Sequence, residues 1–271
     1  PPVFTEEQRK QIVDLAQTPP RTIGYPFTTW SLSKLKKAAL EKQIVETISI
    51  ETIRVMLNEA DITYQHTKTW KESNDPAFSE KKRIEELYEN PPEDGRVICV
   101  DEFGPLSIRP YAGKGWFPEK HPDRLPATYQ RTHGVRHLLC ALDLKTDKLY
   151  GHNKASKKHQ DFLAFLKVLR RRFPRSERLY IIMDNFSPHK HKKVKKWAKE
   201  NNVELVFTPT NASWLNRIEC HFGPLRKFVL EGCTYADHDE LAREIQNYLR
   251  WRNKDKKNHA ILREQKKIKV A

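Results

Sequence analysis

The chain has 271 residues, and its 50 lysines and arginines outnumber its 35 aspartates and glutamates, which gives a formal net charge of +15. This length is enough for one large domain and a smaller one. The excess positive charge favours a polyanionic partner, although a merely solvated basic surface explains it equally well. No apolar run reaches the roughly 20 residues that a membrane helix needs, so we expect no membrane span.

The start of the chain and its cysteines indicate the cellular compartment of the protein. The four cysteines include no Cys-x-x-Cys pair, and Cys99 and Cys140 stand in apolar runs typical of a core. With no signal segment at the start, we expect an intracellular protein. The chain begins Pro1-Pro2-Val3 without Met, so we treat its N-terminus as incomplete.

Residues 1–60 are predicted to form a small all-α region. Residues 5–17 open with the capping-box pattern of Thr5 and Gln8. Residues 31–42 and 49–60 each follow a candidate serine cap and carry apolar side chains on one helical face. Two short helices with a tight connection are typical of a helix-turn-helix, but any helical hairpin has the same pattern.

If this region reads DNA, its second helix enters the major groove. The outward side chains there are Glu51, Arg54 and Asn58. Arginine and asparagine can each make two hydrogen bonds to a base edge, whereas glutamate can only accept. We therefore take Arg54 and Asn58 as candidate DNA-binding residues. The alternative is that these side chains only solvate a packed helix pair.

Residues 61–95 are polar and charged and are predicted to be an interdomain linker, with a short helix at about 79–88 that ends at Asn90-Pro91-Pro92. Residues 96–271 form the predicted catalytic domain. They contain a buried strand (RVICVDEFG), a second strand (SIRPYAGKGWF), a hairpin (RHLLCALDL and LYGHNK), and two strands that alternate with helices (RLYIIMDN and VELVFTP). This order predicts an α/β fold, a mixed sheet flanked by helices on both faces.

Two of the buried strands end in acid, at Asp101-Glu102 and at Asp184-Asn185. Such strand ends tend to face one small volume. Glu219 follows Asp184 after 34 intervening residues, on a predicted helix, and it shares the inner face of that helix with Leu215 and Phe222.

Three converging carboxylates raise each other's pKa unless a cation lies among them. Two Mg²⁺ or Mn²⁺ ions suit such oxygen ligands and can clamp a phosphoryl displacement. Each residue also has an ordinary explanation, since a strand-end Asp often caps a turn and Glu219 has basic neighbours with which to pair. Taken together on a basic chain, Asp101, Asp184 and Glu219 favour a metal site with catalytic carboxylates.

Three segments, VDEFG (100–104), MDNFSPHK (183–190) and PTNASWLNRIE (209–219), resemble the catalytic core of DDE transposases of the mariner superfamily, in particular its bacterial insertion-sequence branch. Upstream, WSLSKLKKAAL with SIETIRVMLNEADI resembles the second helix-turn-helix of that family, and TWKESNDPAFSEKK resembles its interdomain linker. The likeness covers nearly the whole chain, and its core motifs are the more specific. The family usually carries a further helix-turn-helix upstream, so the DNA-binding region is expected to be truncated.

The resemblance implies an RNase H-like core in which Asp101, Asp184 and Glu219 bind two Mg²⁺ or Mn²⁺ ions. It implies cut-and-paste transposition: water cleaves DNA at transposon ends, and the freed 3′-OH attacks target DNA, at TA dinucleotides in this family. It also implies a homodimer on double-stranded DNA, in the cytoplasm or nucleoid of a bacterium. The alternatives are an RNase H-like nuclease without integration activity and a domesticated, non-cleaving DNA-binding protein.

Several residues beside the acidic motifs are weaker candidates. His189 would contact the scissile phosphate or orient a water, or else cap the next helix. Trp214 would stack on a splayed base or seal the core. The lysines that follow would contact phosphates or merely solvate a helix. The possible accessory residues are Asn185, His189 and Trp214, and the DNA-binding candidates here are Lys190, Lys192 and Lys193.

Overall fold

The computed structural model describes residues 3–67, 78–126, 132–254 and 259–267. The chain divides into two compact units, residues 1–69 and 70–271. Most of the predicted linker motif at 69–82 lies outside the described residues, and the predicted boundaries at 60 and 95 stay a prediction. In the described residues, no helix is both long and apolar enough to cross a membrane.

The first unit is a bundle of short helices, α1 (Glu6–Gln17), α2 (Leu32–Glu41) and α3 (Ile50–Glu59). The predicted caps are confirmed. Thr5 and Gln8 form a reciprocal capping box, and the hydroxyls of Ser31 and Ser49 accept from the third following backbone N–H. Fully or almost fully buried side chains from all three helices meet in one core, among them Ile12, Leu35 and Ile53.

Five strands of the described chain form the sheet of the second unit, in the order β3-β2-β1-β4-β5. β1, β2 and β3 pair antiparallel, while β4 and β5 run parallel to β1. The predicted mixed sheet is therefore confirmed, and so is the hairpin. The strands are β1 (Gly95–Ser107), β2 (Val135–Asp143), β3 (Lys148–Lys154), β4 (Arg178–Met183) and β5 (Val203–Phe207).

Helices cover both faces of this sheet. On one face pack α5 (His159–Arg170) and α6 (Lys192–Glu200), because their apolar side chains recur at helical spacing, as at Phe162, Phe165 and Leu169. On the other face pack α4 (Phe78–Glu89), α8 (His238–Lys254) and the segment 215–230. Two further helices are α7 (Phe222–Leu225) and α9 (His259–Lys267).

The prediction of a second strand over SIRPYAGKGWF is wrong. β1 continues to Ser107, with a register shift between Phe103 and Leu106 against β2. Beyond Ser107 the chain leaves the sheet, and Tyr111 makes only an isolated bridge to Cys233. The two glycines of the segment disfavour a continuous strand, because glycine gains little from strand pairing and has no side chain to pack.

The predicted regular helix around Glu219 is also wrong in its geometry. The segment is a 3₁₀ helix (Arg217–His221), then the single α-turn of α7, then a π-helix (Arg226–Leu230). Pro224 explains the break, because proline has no N–H to donate and its ring clashes with the carbonyl four residues earlier.

Candidate active site

The parallel register of β1 and β4 places the first two acidic residues side by side. Cys99 is the partner of Ile182, so the same register continued by two residues sets Asp101 beside Asp184, just past the end of β4. Side chains alternate along a strand. Asp101 therefore shares the face of Cys99 and Phe103, which is the face that the segment 215–230 covers.

Several acidic side chains lie near enough to Asp101 to raise its pKa. Burial raises the pKa of this carboxyl to about 7, against the lowering effect of the Glu102 backbone N–H, and the charges of Asp184, Glu102 and Glu219 raise it further. The Glu102 N–H donates to Asp101 Oδ1 at 2.7 Å. Asp101 thus lies within the electrostatic reach of both other predicted ligands.

Hydrogen bonds to the core hold the segment that carries Glu219. The buried Asn216 side-chain amide donates to the backbone oxygen of Val100 at 2.8 Å, next to Asp101. The Tyr88 hydroxyl of α4 donates to the Leu215 oxygen at 2.7 Å. These bonds fix the backbone just before Glu219 against β1, and Glu219 is half-buried.

On the opposite face, His189 joins two carboxylates. Its Nε2 lies 2.7 Å from Glu102 Oε1, and its Nδ1 lies 2.9 Å from Asp184 Oδ1. The ring is fully buried and packs on Phe162, with centroids 4.1 Å apart. The Phe186 N–H also donates to Asp184 Oδ1, at 3.0 Å.

The protonation of this cluster follows from its bonds. Burial by itself lowers the pKa of His189, but the bonds to Asp184 and Glu102 outweigh it and raise the pKa to about 9. Burial likewise pushes the pKa of Asp184 upward, and the bonds from His189 and Phe186 hold it below its usual value. At neutral pH a protonated His189 therefore donates to both carboxylates.

This geometry corrects the expectation for His189. A fully buried ring does not face a phosphate in solvent. Nor does His189 cap the next helix, since α6 begins at Lys192 and its cap is His191. His189 instead holds the Asp184 carboxylate in place through the contact of its Nδ1 with Asp184 Oδ1.

The carboxylates have the chemistry that a divalent cation requires, but they are not arranged as a complete metal site. Within the described residues, no group of three His, Cys, Asp or Glu side chains is arranged to hold a metal ion. The donor set is nonetheless all oxygen, which Mg²⁺ and Mn²⁺ prefer. A cation beside Asp101 would relieve the repulsion that contributes to its raised pKa.

The other predicted residues have varied surroundings. The Asn185 side-chain amide donates to the Thr208 oxygen, a structural bond. Trp214 is half-buried in a 3₁₀ turn, Ser213–Leu215. The exposed candidates for phosphate contact are Lys190, Lys192 and Lys193.

In the first unit, Arg54 and Asn58 are both exposed on α3. Arg54 forms an ion pair with Glu51 one turn earlier. Both candidates line a cavity of about 840 Å³ between the helices and the segment 62–65.

Three residues that matter to this site carry no assignment from the sequence, namely Glu102, Asn216 and Tyr88. Glu102 is adjacent to Asp101, and Asn216 lies within the motif that ends at Glu219, so position in a motif was the available signal for both. Tyr88 had no such signal, because only the fold brings α4 to the Leu215 oxygen.

The amino-acid sequence matches one protein family and is similar to a known protein. A model of the DDE superfamily endonuclease family matches residues 96–242. A 39 kDa uncharacterized protein of insertion element IS630 from Shigella sonnei is 23% identical over 242 residues, which are 87% of this chain and 68% of that protein.

Solved structures share the fold at low sequence identity. The Mos1 strand transfer complex matches with a TM-score of 0.56 and 17% identity, over 90% of this chain and 76% of that one. The mariner Mos1 paired end complex with Mg matches with a TM-score of 0.58 and 13% identity, over 90% and 78%. The predicted fold class and family are confirmed. The chain belongs to the DDE superfamily endonucleases; it is similar in sequence to a protein of insertion element IS630 and in fold to the mariner transposase Mos1.

Proposed function

We propose that the chain is a transposase that cleaves DNA at transposon ends and transfers the freed 3′-OH into target DNA. Asp101, Asp184 and Glu219 are its catalytic, metal-binding carboxylates. The observation that carries the proposal is the crowding of acidic groups around Asp101, which lies in the middle of β1 and not at its end as predicted, beside the end of β4. Burial and the charges of Asp184, Glu102 and Glu219 raise the pKa of Asp101 to about 7. On a chain with a net charge of +15, such an acidic site has no evident structural purpose.

The relatives support this reading. The solved Mos1 structures include a strand transfer complex and paired end complexes with Mn and with Mg. By analogy, double-stranded DNA is the substrate, Mg²⁺ or Mn²⁺ is the cofactor, and a homodimer is the acting form. The basic charge supports DNA as the partner, because neutralising phosphates releases counterions.

Each carboxylate has a distinct task in this proposal. Asp101, within β1, and Asp184, just past the end of β4, hold the cations, and Glu219 completes the ligand set from the segment that covers this face of the sheet. His189 fixes the rotamer of Asp184 through its 2.9 Å bond. When bound, the divalent ions would polarise the scissile phosphate and lower the pKa of the attacking water or hydroxyl.

The test uses the full chain with a supercoiled plasmid that carries candidate transposon ends, in Mn²⁺, with sequencing of any joined products. Asp184→Asn and Glu219→Gln should each lower the cleavage rate at least about 1000-fold while DNA affinity stays within about threefold, because each removes a ligand of a metal site that is essential to catalysis.

Asp123→Asn is the matched control, since Asp123 is exposed outside the helices and strands; it should cleave as the unsubstituted chain does. Cleavage by Asp184→Asn or Glu219→Gln would refute the assignment of the three carboxylates. Cleaved but never joined ends would favour the nuclease without integration activity.

A further inference from the structure

A second charged feature lies at the edge of the sheet away from the carboxylates. There a cavity of about 700 Å³ opens between the C-terminal ends of α5 and α6, where β4 and β5 begin. β4 has six residues, so this edge is about 20 Å from Asp184 at about 3.3 Å per residue. The cavity is lined by Lys167, Arg170, Arg171, Phe173, Arg175, Trp197, Glu200, Asn201 and Asn202.

The lining is strongly basic, and three of its cations are exposed. Within the described residues, Lys167, Arg171 and Arg175 have no acidic side chain at ion-pair distance. Glu200 is the acid in the lining, and it already pairs with Lys196 at 3.9 Å. Like charges placed around one cavity repel each other, so this arrangement favours an anionic ligand.

Arg170 differs from these three, because its residue is only 6% exposed. Its guanidinium donates to the backbone oxygens of Phe173, Pro174 and Glu177. Its buried Nε–H has no partner in the part of the chain that the structure describes. A buried donor without a partner costs free energy unless a ligand or water satisfies it.

Stabilisation of a helix end explains only part of this charge. Cations near the C-terminus of α5 offset its dipole, and Arg170 also donates to the oxygens of Phe173 and Pro174 in the turn after the helix. Lys167, Arg171 and Arg175 remain exposed around the same cavity, so their charges are available to a ligand.

A line of lysines connects the cavity with the edge that carries the carboxylates. α6 begins eight residues after Asp184 and ends at the cavity. At about 1.5 Å per residue this helix is about 13 Å long, which spans several phosphates of one strand. The exposed lysines along it are Lys192, Lys193, Lys195, Lys196 and Lys199.

We propose that this cavity binds the phosphates of a DNA backbone, as a second DNA contact at the far edge of the sheet from Asp184. The ligand class is a polyanion with regularly spaced phosphates, because the lysines of α6 extend the positive surface beyond what a single small anion would need. The choice of DNA rests on the proposed function, whereas the phosphate chemistry of the cavity does not.

The test measures the affinity of the full chain for a labelled DNA duplex by fluorescence anisotropy over a range of salt concentrations. The double variant Arg171→Ala/Arg175→Ala removes two exposed cations of the cavity. If both contact phosphates, the slope of log K against log salt should become shallower by about 2, at about 0.9 per contact. The matched control Arg243→Ala/Arg250→Ala removes two exposed arginines from α8, on the other face of the sheet.

The proposal would be overturned if the cavity variant kept the slope of log K against log salt of the unsubstituted chain. It would also be overturned if the slope of the control variant became shallower by the same amount. A second arm titrates the unsubstituted chain and Trp197→Phe with pyrophosphate and follows tryptophan fluorescence. Quenching that depends on Trp197, with no change of DNA slope in the cavity variant, would assign the cavity to a small anion and also overturn it.

Plasmid cleavage by the cavity variant separates this proposal from the proposed function. The cavity variant should need more protein than the unsubstituted chain to reach half-maximal cleavage, because it binds DNA less tightly, whereas the control variant Arg243→Ala/Arg250→Ala should need no more. If the unsubstituted chain does not cleave DNA at all, the proposed function fails while the salt measurement still decides the role of the cavity.

Discussion

Asp101 and Asp184 are adjacent, yet they differ in charge at neutral pH. Asp184 accepts hydrogen bonds from His189 and the Phe186 N–H, which keep its pKa low. Burial and the neighbouring acids bring the pKa of Asp101 to about 7, so near neutral pH it is only partly ionised. At the proposed metal site, Asp184 would therefore bind a cation as a carboxylate, whereas Asp101 would have to release its proton when the cation binds.

The contact between His189 and Asp184 predicts how the metal requirement of cleavage depends on this histidine. His189→Ala removes the donor that orients Asp184, so the Mn²⁺ concentration for half-maximal cleavage should rise about 10- to 100-fold, the usual cost of losing a partner behind a metal ligand. A metal titration of plasmid cleavage measures this.

The neighbouring His191→Ala is the control for that titration. His191 caps α6 and stacks on His159, and no carboxylate of the described residues contacts it, so its loss should leave the metal requirement unchanged. His189→Gln should restore part of the metal affinity, because the amide can still donate to one carboxylate. Equal metal requirements for His189→Ala and the unsubstituted chain would show that the buried histidine only fills space.

At the scale of the element, the position of Glu219 depends on an irregular segment and not on a long helix. The 3₁₀ helix Arg217–His221 is short, and such segments add little stability of their own. The bonds from Asn216 to Val100 and from Tyr88 to Leu215 therefore take over the positioning. Ile218, between Arg217 and Glu219, is fully buried and anchors the same segment in the core.

Asn216→Ala tests that positioning. It leaves the buried Val100 oxygen without its donor, so the free energy of unfolding should fall by about 1–3 kcal/mol. Cleavage at saturating metal should fall as well, because Glu219 loses its anchor to β1. Chemical denaturation and plasmid cleavage measure the two effects.

Ser213→Ala, at an exposed position of the preceding turn, should change neither quantity measurably. If Asn216→Ala lost stability but cleaved at the rate of the unsubstituted chain, the anchor would matter to the fold and not to the site.

At the scale of the whole molecule, the titrating groups predict how stability varies with pH. The pKa of Asp101 is about 7 in the folded chain against an ordinary value of 3.8, so the folded state binds the proton more tightly. Without metal, the contribution of Asp101 to the free energy of unfolding should therefore fall as pH rises from about 4 to 7, by at most about 1.4 kcal/mol per pH unit. Buried His221, whose pKa is lowered from 6.5 to about 3, contributes the opposite slope below pH 6.5, so the contribution of Asp101 is measured against a variant that lacks it. His189, with a pKa raised from 6.5 to about 9, stabilises fully below 6.5 and loses that contribution as pH rises through 9.

Melting curves in chelator between pH 5 and pH 8 measure this slope. Adding Mg²⁺ should raise the melting temperature more at pH 8 than at pH 5, because the ion competes with the proton for the same carboxylates. Asp101→Asn removes the falling contribution, so between pH 5 and 7 its melting temperature should change in a more positive direction with pH than that of the unsubstituted chain, and the effect of Mg²⁺ should be smaller. The same pH dependence for Asp101→Asn and the unsubstituted chain in chelator would contradict the raised pKa, because the contribution of His221 is common to both.

The sequence by itself determined the parts that depend on local chemistry. The serine and threonine caps predicted α1, α2 and α3, because capping is a contact over three residues. Continuous apolar runs predicted β1, β4 and β5. The acids after the apolar runs of β1 and β4 indicated where ligands would collect, although β1 extends past Asp101 to Ser107.

Only the tertiary structure decided what depends on contacts between distant segments. The sequence did not reveal that Glu102 and His189 meet across 87 residues or that Asn216 bonds Val100 across 116. It also predicted a second strand from Ser107 and a regular helix at Glu219. In the structure, β1 shifts register against β2 and ends at Ser107, and Pro224 interrupts the helix. The physical reason is that periodicity reports which face of an element is buried, whereas the partner of a buried polar group is set by the packing of elements far apart in the chain.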